Sequence, residues 1–182
     1  MTKDSVKIWR YRIPSDEHRE GWGLLILDST GFFSAVSDYG NYAYWWNAHG
    51  RNDFREFVIG LEGSWDYAAT KLGTREQNHV FDPEATEREI KRELIRRRRS
   101  LSLTKEAARE EWEHADHLGS ENITIEQWAE RTCLDDPCDY ICDRRSADLE
   151  AFCKRLLPRL AKVLQAELNV EKACETVVAS GA

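Results

Sequence analysis

The sequence predicts an α+β fold, with a four-stranded antiparallel β-meander over about residues 6–46 and a helical region over about 54–170 that packs on the sheet, together one domain over residues 1–182. Three observations predict it. Short apolar runs alternate with turn chemistry up to Trp46, and beyond His49-Gly50 the apolar spacing changes to threes and fours. The connections between the runs are too short for a crossover, so neighbouring strands must be antiparallel. A sheet first and helices after is the order in which helices can cover one sheet face.

The first strand, Ile8 to Ile13, alternates Trp9, Tyr11 and Ile13 with Arg10 and Arg12, as expected for an edge strand with one buried face. Trp22 to Leu27 is a continuous apolar run and predicts a central strand covered on both faces. Asp28-Ser29-Thr30-Gly31 and Asp38-Tyr39-Gly40-Asn41 are turns flanking a strand at Phe32 to Ser37, and the fourth strand runs from Tyr42 to Trp46. Asp53 and Glu56 have capping-box spacing ahead of Phe54, Phe57, Val58 and Leu61, a short amphipathic helix. Ser64 is placed to cap a piece from Trp65 to Leu72 that stops at Gly73, and 74–80 reads as a polar link. Asp82-Pro83 opens a helix over 84–99 with a thin apolar stripe, and Thr104 opens another that ends near Gly119. Thr124 and Gln127 form a capping box ahead of Trp128, and Asp135-Asp136-Pro137 breaks that helix. Ser146 caps a long last helix, apolar at threes and fours from Leu149 to Leu168, which Pro158 should kink.

Hydrophobic residues make up 41% and charged residues 32% of the chain, the signature of a polar globular protein. No apolar run reaches the roughly 18–20 residues of a membrane span, and Met1 to Ser5 is polar with no apolar stretch behind it, so a cytoplasmic protein is expected. Five cysteines, an odd number, fit reduced thiols. The net charge of −7 is uneven, +2 over 81–110 and −7 over 111–182. A nucleic-acid binder of this balance needs a compact basic patch. Lys91, Arg92 and Arg96 to Arg99 are the candidate, but four consecutive helical residues point about 100° apart and cannot all meet one strand of phosphates. The run is better explained as a solvated helix end or a contact with an acidic partner or the chain's own acidic segment.

Cys133, Cys138, Cys142 and Cys153 lack the close CxxC pairing of structural zinc sites. They read as buried packing residues, with Cys138 and Cys142 able to share a helical face and His114 and His117 as outside ligands. Asp28, Asp38, Asp53 and His49 are positioned where a metal-assisted hydrolase could keep a base, although turns and caps use aspartate for their own reasons. No GxSxG, Walker A, HExxH or GxGxxG motif is present, and no cofactor is expected. The least ordinary feature is the aromatic block Tyr39, Tyr42, Tyr44, Trp45 and Trp46. Alternation puts Tyr42, Tyr44 and Trp46 on one sheet face and Ala43 and Trp45 on the other. One face is core, and the other is available as a protein-binding surface or a stacking platform. The acidic run Asp135, Asp136, Asp139, Asp143, Asp148 and Glu150 is either a solvated face or a set of charges presented to a partner.

Gly21-Trp22-Gly23, the run LDSTGFFSAVSDYGNYAYW from Leu27 to Trp45, Asp53-Phe54-Arg55-Glu56-Phe57, Asp66-Tyr67 with Lys71-Leu72, Arg96 to Ser100, and KEAAREEW from Lys105 to Trp112 resemble a family of small bacteriophage and prophage proteins. The resemblance covers most of 21–131 and fades after Asp135, so the cysteine-bearing segment departs from it. It implies a phage accessory protein and brings no catalytic residue with it. The expectation is a protein that binds and inhibits or redirects a host macromolecule by occupancy, in its narrowest form an anti-CRISPR-like inhibitor of host defence. Tyr39, Tyr42, Trp45 and Trp46 are the expected anchors, and Asp135, Asp136, Asp139 and Asp143 the electrostatic element. The expected partner is a host protein, with nucleic acid and membrane disfavoured. A metal-assisted hydrolase and a nucleic-acid-binding regulator are the alternatives.

Overall fold

Alternating apolar residues at one end of the chain and 3.6-period stripes at the other can bury themselves only against each other, and the computed structural model, which describes residues 5–118 and 124–180, shows how. The readings of Met1–Asp4 and of a helix end at Gly119 fall outside those residues. The chain divides into two units, one of 1–78 with 145–182 and one of 79–144, each with its own core.

The first unit holds a four-stranded antiparallel sheet in the order β1 (Ile8–Ile13), β2 (Gly23–Asp28), β3 (Phe32–Ser37), β4 (Gly40–Trp45). The register pairs Arg10 with Ile26, Ile26 with Ser34, and Ser34 with Ala43, so the even-numbered residues of β1–β3 share one face, here the even side, with the odd-numbered residues of β4, and the odd-numbered residues of β1–β3 share the other, the odd side, with the even-numbered residues of β4. Trp9, Ile13, Leu25, Leu27, Phe33, Ala35 and Tyr42 bury the odd-side face. Each large apolar side chain among them contributes about 1.5–3 kcal/mol. β2 is central, as predicted, but is covered on one face only, with Ile26 exposed and Leu24 half-buried. An unbroken apolar run has the same sequence whether or not its second face is covered. At the β2–β3 turn Gly31 has φ +94°, and a Cβ there would lie 2.2 Å from the Trp46 carbonyl oxygen. Only glycine fits.

Helices α1 (Phe54–Gly60), α2 (Trp65–Leu72) and a long C-terminal segment cover the odd-side face. Asp53 caps α1 through the Arg55 amide at 2.8 Å. Ser64 makes no side-chain cap, because a 3₁₀ turn over Leu61–Ser64 runs directly into α2. The predicted link after Gly73 contains a helical turn, α3 (Arg75–Asn78). Ser146 caps the C-terminal segment through the Leu149 amide. That segment is α7 (Ala147–Ala151, numbered in chain order after the second unit's helices α4–α6), a π turn over Phe152–Leu156, and α8 (Leu157–Ser180). The wider turn immediately before Pro158 accommodates the ring and the missing amide. Phe152 then packs edge-on to Phe33 (6.4 Å) and lies 4.4 Å from Tyr42.

The second unit is helical, with α4 (Pro83–Arg99), α5 (Lys105–Asp116) and α6 (Ile125–Arg131) around Ile90, Leu94, Ala115, Leu118, Trp128 and Leu134. Asp82, Thr104 and Thr124 cap the three helices as predicted, and Thr124–Gln127 makes both bonds of its capping box. A two-residue ribbon, β5 (Val80–Phe81) with β6 (Asp143–Arg144), joins the unit's ends. Among the described residues, no helix is long and apolar enough to cross a membrane.

Candidate functional site

Because all the covering helices of the first unit pack on the odd-side face, the even-side face of the sheet stays open. Across the strands it presents Arg12–Leu24–Val36–Asn41, then Arg10–Ile26–Ser34–Ala43, then Phe32 beside Trp45. Trp45 is 59% exposed, Val36 46%, Phe32 38% and Ile26 36%, a contiguous apolar strip on strands held rigid by their ladder. Isolated exposed apolar residues are ordinary, and a set grouped on one face is what makes this the candidate surface. The Trp45 indole N–H donates to the Thr30 carbonyl at 2.9 Å, which fixes the ring without covering it. Arg10 and Arg12 are exposed on β1 and form no ion pair among the described residues. Among the described strand residues Asp28 is the one acidic side chain on this face, and the turn uses it. Burial opposes its ionisation, but the Thr30 hydroxyl and the Phe32, Thr30 and Gly31 amides outweigh that and hold the carboxyl below its usual range.

The predicted anchors therefore separate. Tyr39, Tyr42 and Trp46 are core residues, 9%, 3% and 5% exposed. The Tyr42 hydroxyl donates to the Tyr39 carbonyl, and burial, with Asp148 and Cys153 nearby, pushes its pKa up to about 12. Trp45 alone of the four offers its ring outward. Asp135, Asp136, Asp139 and Asp143 are all exposed in the second unit. Asp135 pairs with Arg97 (3.1 Å) and Asp143 with His79 (3.1 Å), while Asp136 and Asp139 have no side-chain partner among the described residues. The arginine run is likewise partly engaged within its own unit, Arg96 and Arg97 on Glu93, Arg97 also on Asp135, and Arg98 on the Leu103 carbonyl.

The residues considered for hydrolysis do not converge. Asp28 holds its turn, Asp38 accepts from the Gly21 amide at 2.8 Å, Asp53 caps α1 and binds Arg55, and His49 packs on Phe54 and Phe57. Among the described residues no three or more His, Cys, Asp or Glu side chains are grouped to hold a metal. Cys138 and Cys142 do not share a helical face, because a 3₁₀ turn over Pro137–Tyr140 gives way to extended backbone at Ile141. Of the four cysteines read as packing residues only Cys153 is buried, and burial pushes its thiol up to about 12.

A family model described as a phage family matches residues 1–166. The chain belongs to that phage family. Neither a curated protein nor a solved structure matches it.

Two buried charged residues of this phage protein escaped the sequence reading. Arg55, 1% exposed, bonds Asp53, Glu167 (3.1 Å) and Glu171 (2.6 Å) and stacks over Trp9 at 4.8 Å, tying α1 to α8 and β1. The Tyr11 hydroxyl donates to Glu167 at 2.6 Å, and burial first, then that bond and the Glu167 charge, raise its pKa. The available signal was position, since Arg55 lies three residues before Val58 on the helix's apolar stripe. In the second unit Glu111, 3% exposed, accepts from the Trp128 indole (2.8 Å), the Thr132 hydroxyl (2.7 Å) and the Cys133 amide (3.2 Å). Burial, and then the Glu111 carboxylate, raise the Cys133 thiol pKa. Both sets are structural braces, with their bonding capacity used inside the unit.

Proposed function

We propose that this phage protein acts by occupancy, docking the open face of its sheet on a host protein and so blocking or redirecting it, with a host-defence inhibitor as the narrowest form of that role. The observation that carries the reading is the contiguous strip Ile26, Val36, Phe32 and Trp45 left uncovered beside Arg10 and Arg12, which form no ion pair among the described residues. An apolar centre with a cationic border suits a protein surface that is apolar with carboxylates at its rim. Aliphatic residues between the arginines and the rings suit a protein better than bases, which stack on aromatic faces. Asp136 and Asp139, with free carboxylates, add a second charged element for a basic region of the partner. Such charges raise the encounter rate, and the buried apolar centre sets the lifetime.

The test is capture from host lysate at moderate salt by the tagged protein and by Val36→Asp, Trp45→Ala and Asp139→Ala variants, with the captured protein then purified and recombined. The reading requires one host protein to bind the parent chain and to be lost with Val36→Asp and Trp45→Ala. Capture equal for all variants sinks it. Retention of nucleic acid instead, with a steep salt dependence flattened by Arg10→Ala and Arg12→Ala, replaces it with the regulator reading.

A further inference from the structure

The tip of the α4–α5 hairpin, in the second unit, carries an exposed apolar residue in a left-handed conformation. α4 ends in a Schellman motif, with the Ser102 amide donating to the Arg97 carbonyl (3.0 Å) and the Leu101 amide to that of Arg98 (3.3 Å). The left-handed position of that motif normally holds glycine. Here it holds Leu101, at φ +59° and 84% exposed. A branched apolar side chain in that conformation is strained by its Cβ against the backbone, and its exposure means the core recovers none of that strain. Just before it in the chain, Arg98 and Arg99 line a cleft of about 260 Å³ together with Leu94, Ile95, Ala108 and Trp112. Ile95 is 43% and Trp112 37% exposed, and the Lys91 ammonium lies over the indole at 4.8 Å. The Arg98 guanidinium is steadied by the Leu103 carbonyl at 2.6 Å, while Arg99 is exposed with no bond or ion pair among the described residues.

We infer that this cleft is a second binding site, for a peptide segment of a partner protein that inserts one apolar side chain between the helices and sets a carboxylate on Arg98 and Arg99. The volume lies just below the roughly 300–1,000 Å³ of small-molecule pockets and suits a single anchor side chain. The complementarity is local. Residues 79–144 carry 11 basic and 17 acidic groups, so the unit as a whole repels an anionic surface, and only a ligand small enough to meet the two arginines alone gains from them. That favours an acidic peptide over an anionic bilayer, which would face the whole unit.

The test uses the full chain, isotope-labelled for NMR, with three probes. These are a 14-residue helical peptide carrying leucines on one face and glutamates on the flanks, the same peptide with lysines for glutamates, and vesicles containing phosphatidylglycerol. The site predicts that the acidic peptide shifts the Trp112 indole and the Arg99 side chain. Arg99→Glu should weaken it at least fivefold and Leu101→Gly at least threefold, while Leu101→Gly raises the unfolding midpoint of this unit. The inference is overturned if the acidic peptide leaves these signals unmoved or the lysine peptide binds as well. It also fails if only the vesicles act on the tip, or if Leu101→Gly lowers the midpoint, which would make Leu101 a folding residue.

Discussion

Replacing Arg55 with methionine keeps an unbranched chain over Trp9 and removes the charge that three carboxylates share. Arg55 is buried, and its partners Asp53, Glu167 and Glu171 have side chains 27%, 36% and 41% exposed. Removing one member of a buried ion pair costs about 3–5 kcal/mol, but partners this wet are partly resolvated when the arginine leaves, which brings the expected loss to about 2–4 kcal/mol at pH 7. The pH dependence fixes the cause. Asp53 titrates below its usual range although burial opposes this, because its bonds to Arg55 outweigh burial, and Glu171 is lowered first by its bond to Arg55. Carboxyls depressed in the folded state add stability above their unfolded pKa values, about 3.9–4.3, and that stability is lost as pH falls through the folded values. The deficit of Arg55→Met should therefore shrink as the pH falls below about 4. The two units have separate cores, so the measurement is native-state hydrogen exchange of β1 and α8 amides at pH 7 and again below about pH 4, not a whole-chain melt. A deficit under about 1 kcal/mol at pH 7, or one that does not change with pH, refutes the brace.

Gly31→Ala forces a Cβ onto the Trp46 carbonyl and should destabilise the first unit by at least about 2 kcal/mol in urea titration followed by near-UV circular dichroism. Glu111→Ala strands three donors and should cost about 3–4 kcal/mol in exchange of α5 and α6 amides, whereas Glu111→Gln keeps the oxygen shared by Trp128 and Thr132, meets only the Cys133 amide badly, and should cost about 1–2. In a native thiol titration at pH 7.5 the exposed Cys138 and Cys174 should react first and Cys153 only after unfolding, so early labelling of Cys153 would contradict its burial.

The sheet was legible because strand periodicity and turn residues are local. The strand pairs, the even and odd faces and the caps at Asp53, Asp82, Thr104, Thr124 and Ser146 all follow from residues within a few positions of one another. What local patterns do not carry is which face of a run is covered, since that is decided by helices a hundred residues away. Hence β2 reads as buried on both sides, and an aromatic block reads as four anchors when three of its rings fill the core. The β5–β6 ribbon is too short to show a period at all. Arg55 and Glu111 were missed because a charged residue on a helix reads as solvated unless its distant partners are known, and those partners lie up to 116 residues away. Leu101 had no sequence signal beyond occupying a site where glycine is usual.

Calorimetric titration of the purified host partner against the parent protein and Val36→Asp tests most directly whether the open sheet face is the gripping surface. Val36 is 46% exposed on the face opposite the core, so a carboxylate there leaves the fold intact and disrupts the apolar strip. At least a tenfold rise in Kd with an unchanged unfolding midpoint is the predicted result. An unchanged Kd, with the same midpoint, would contradict it.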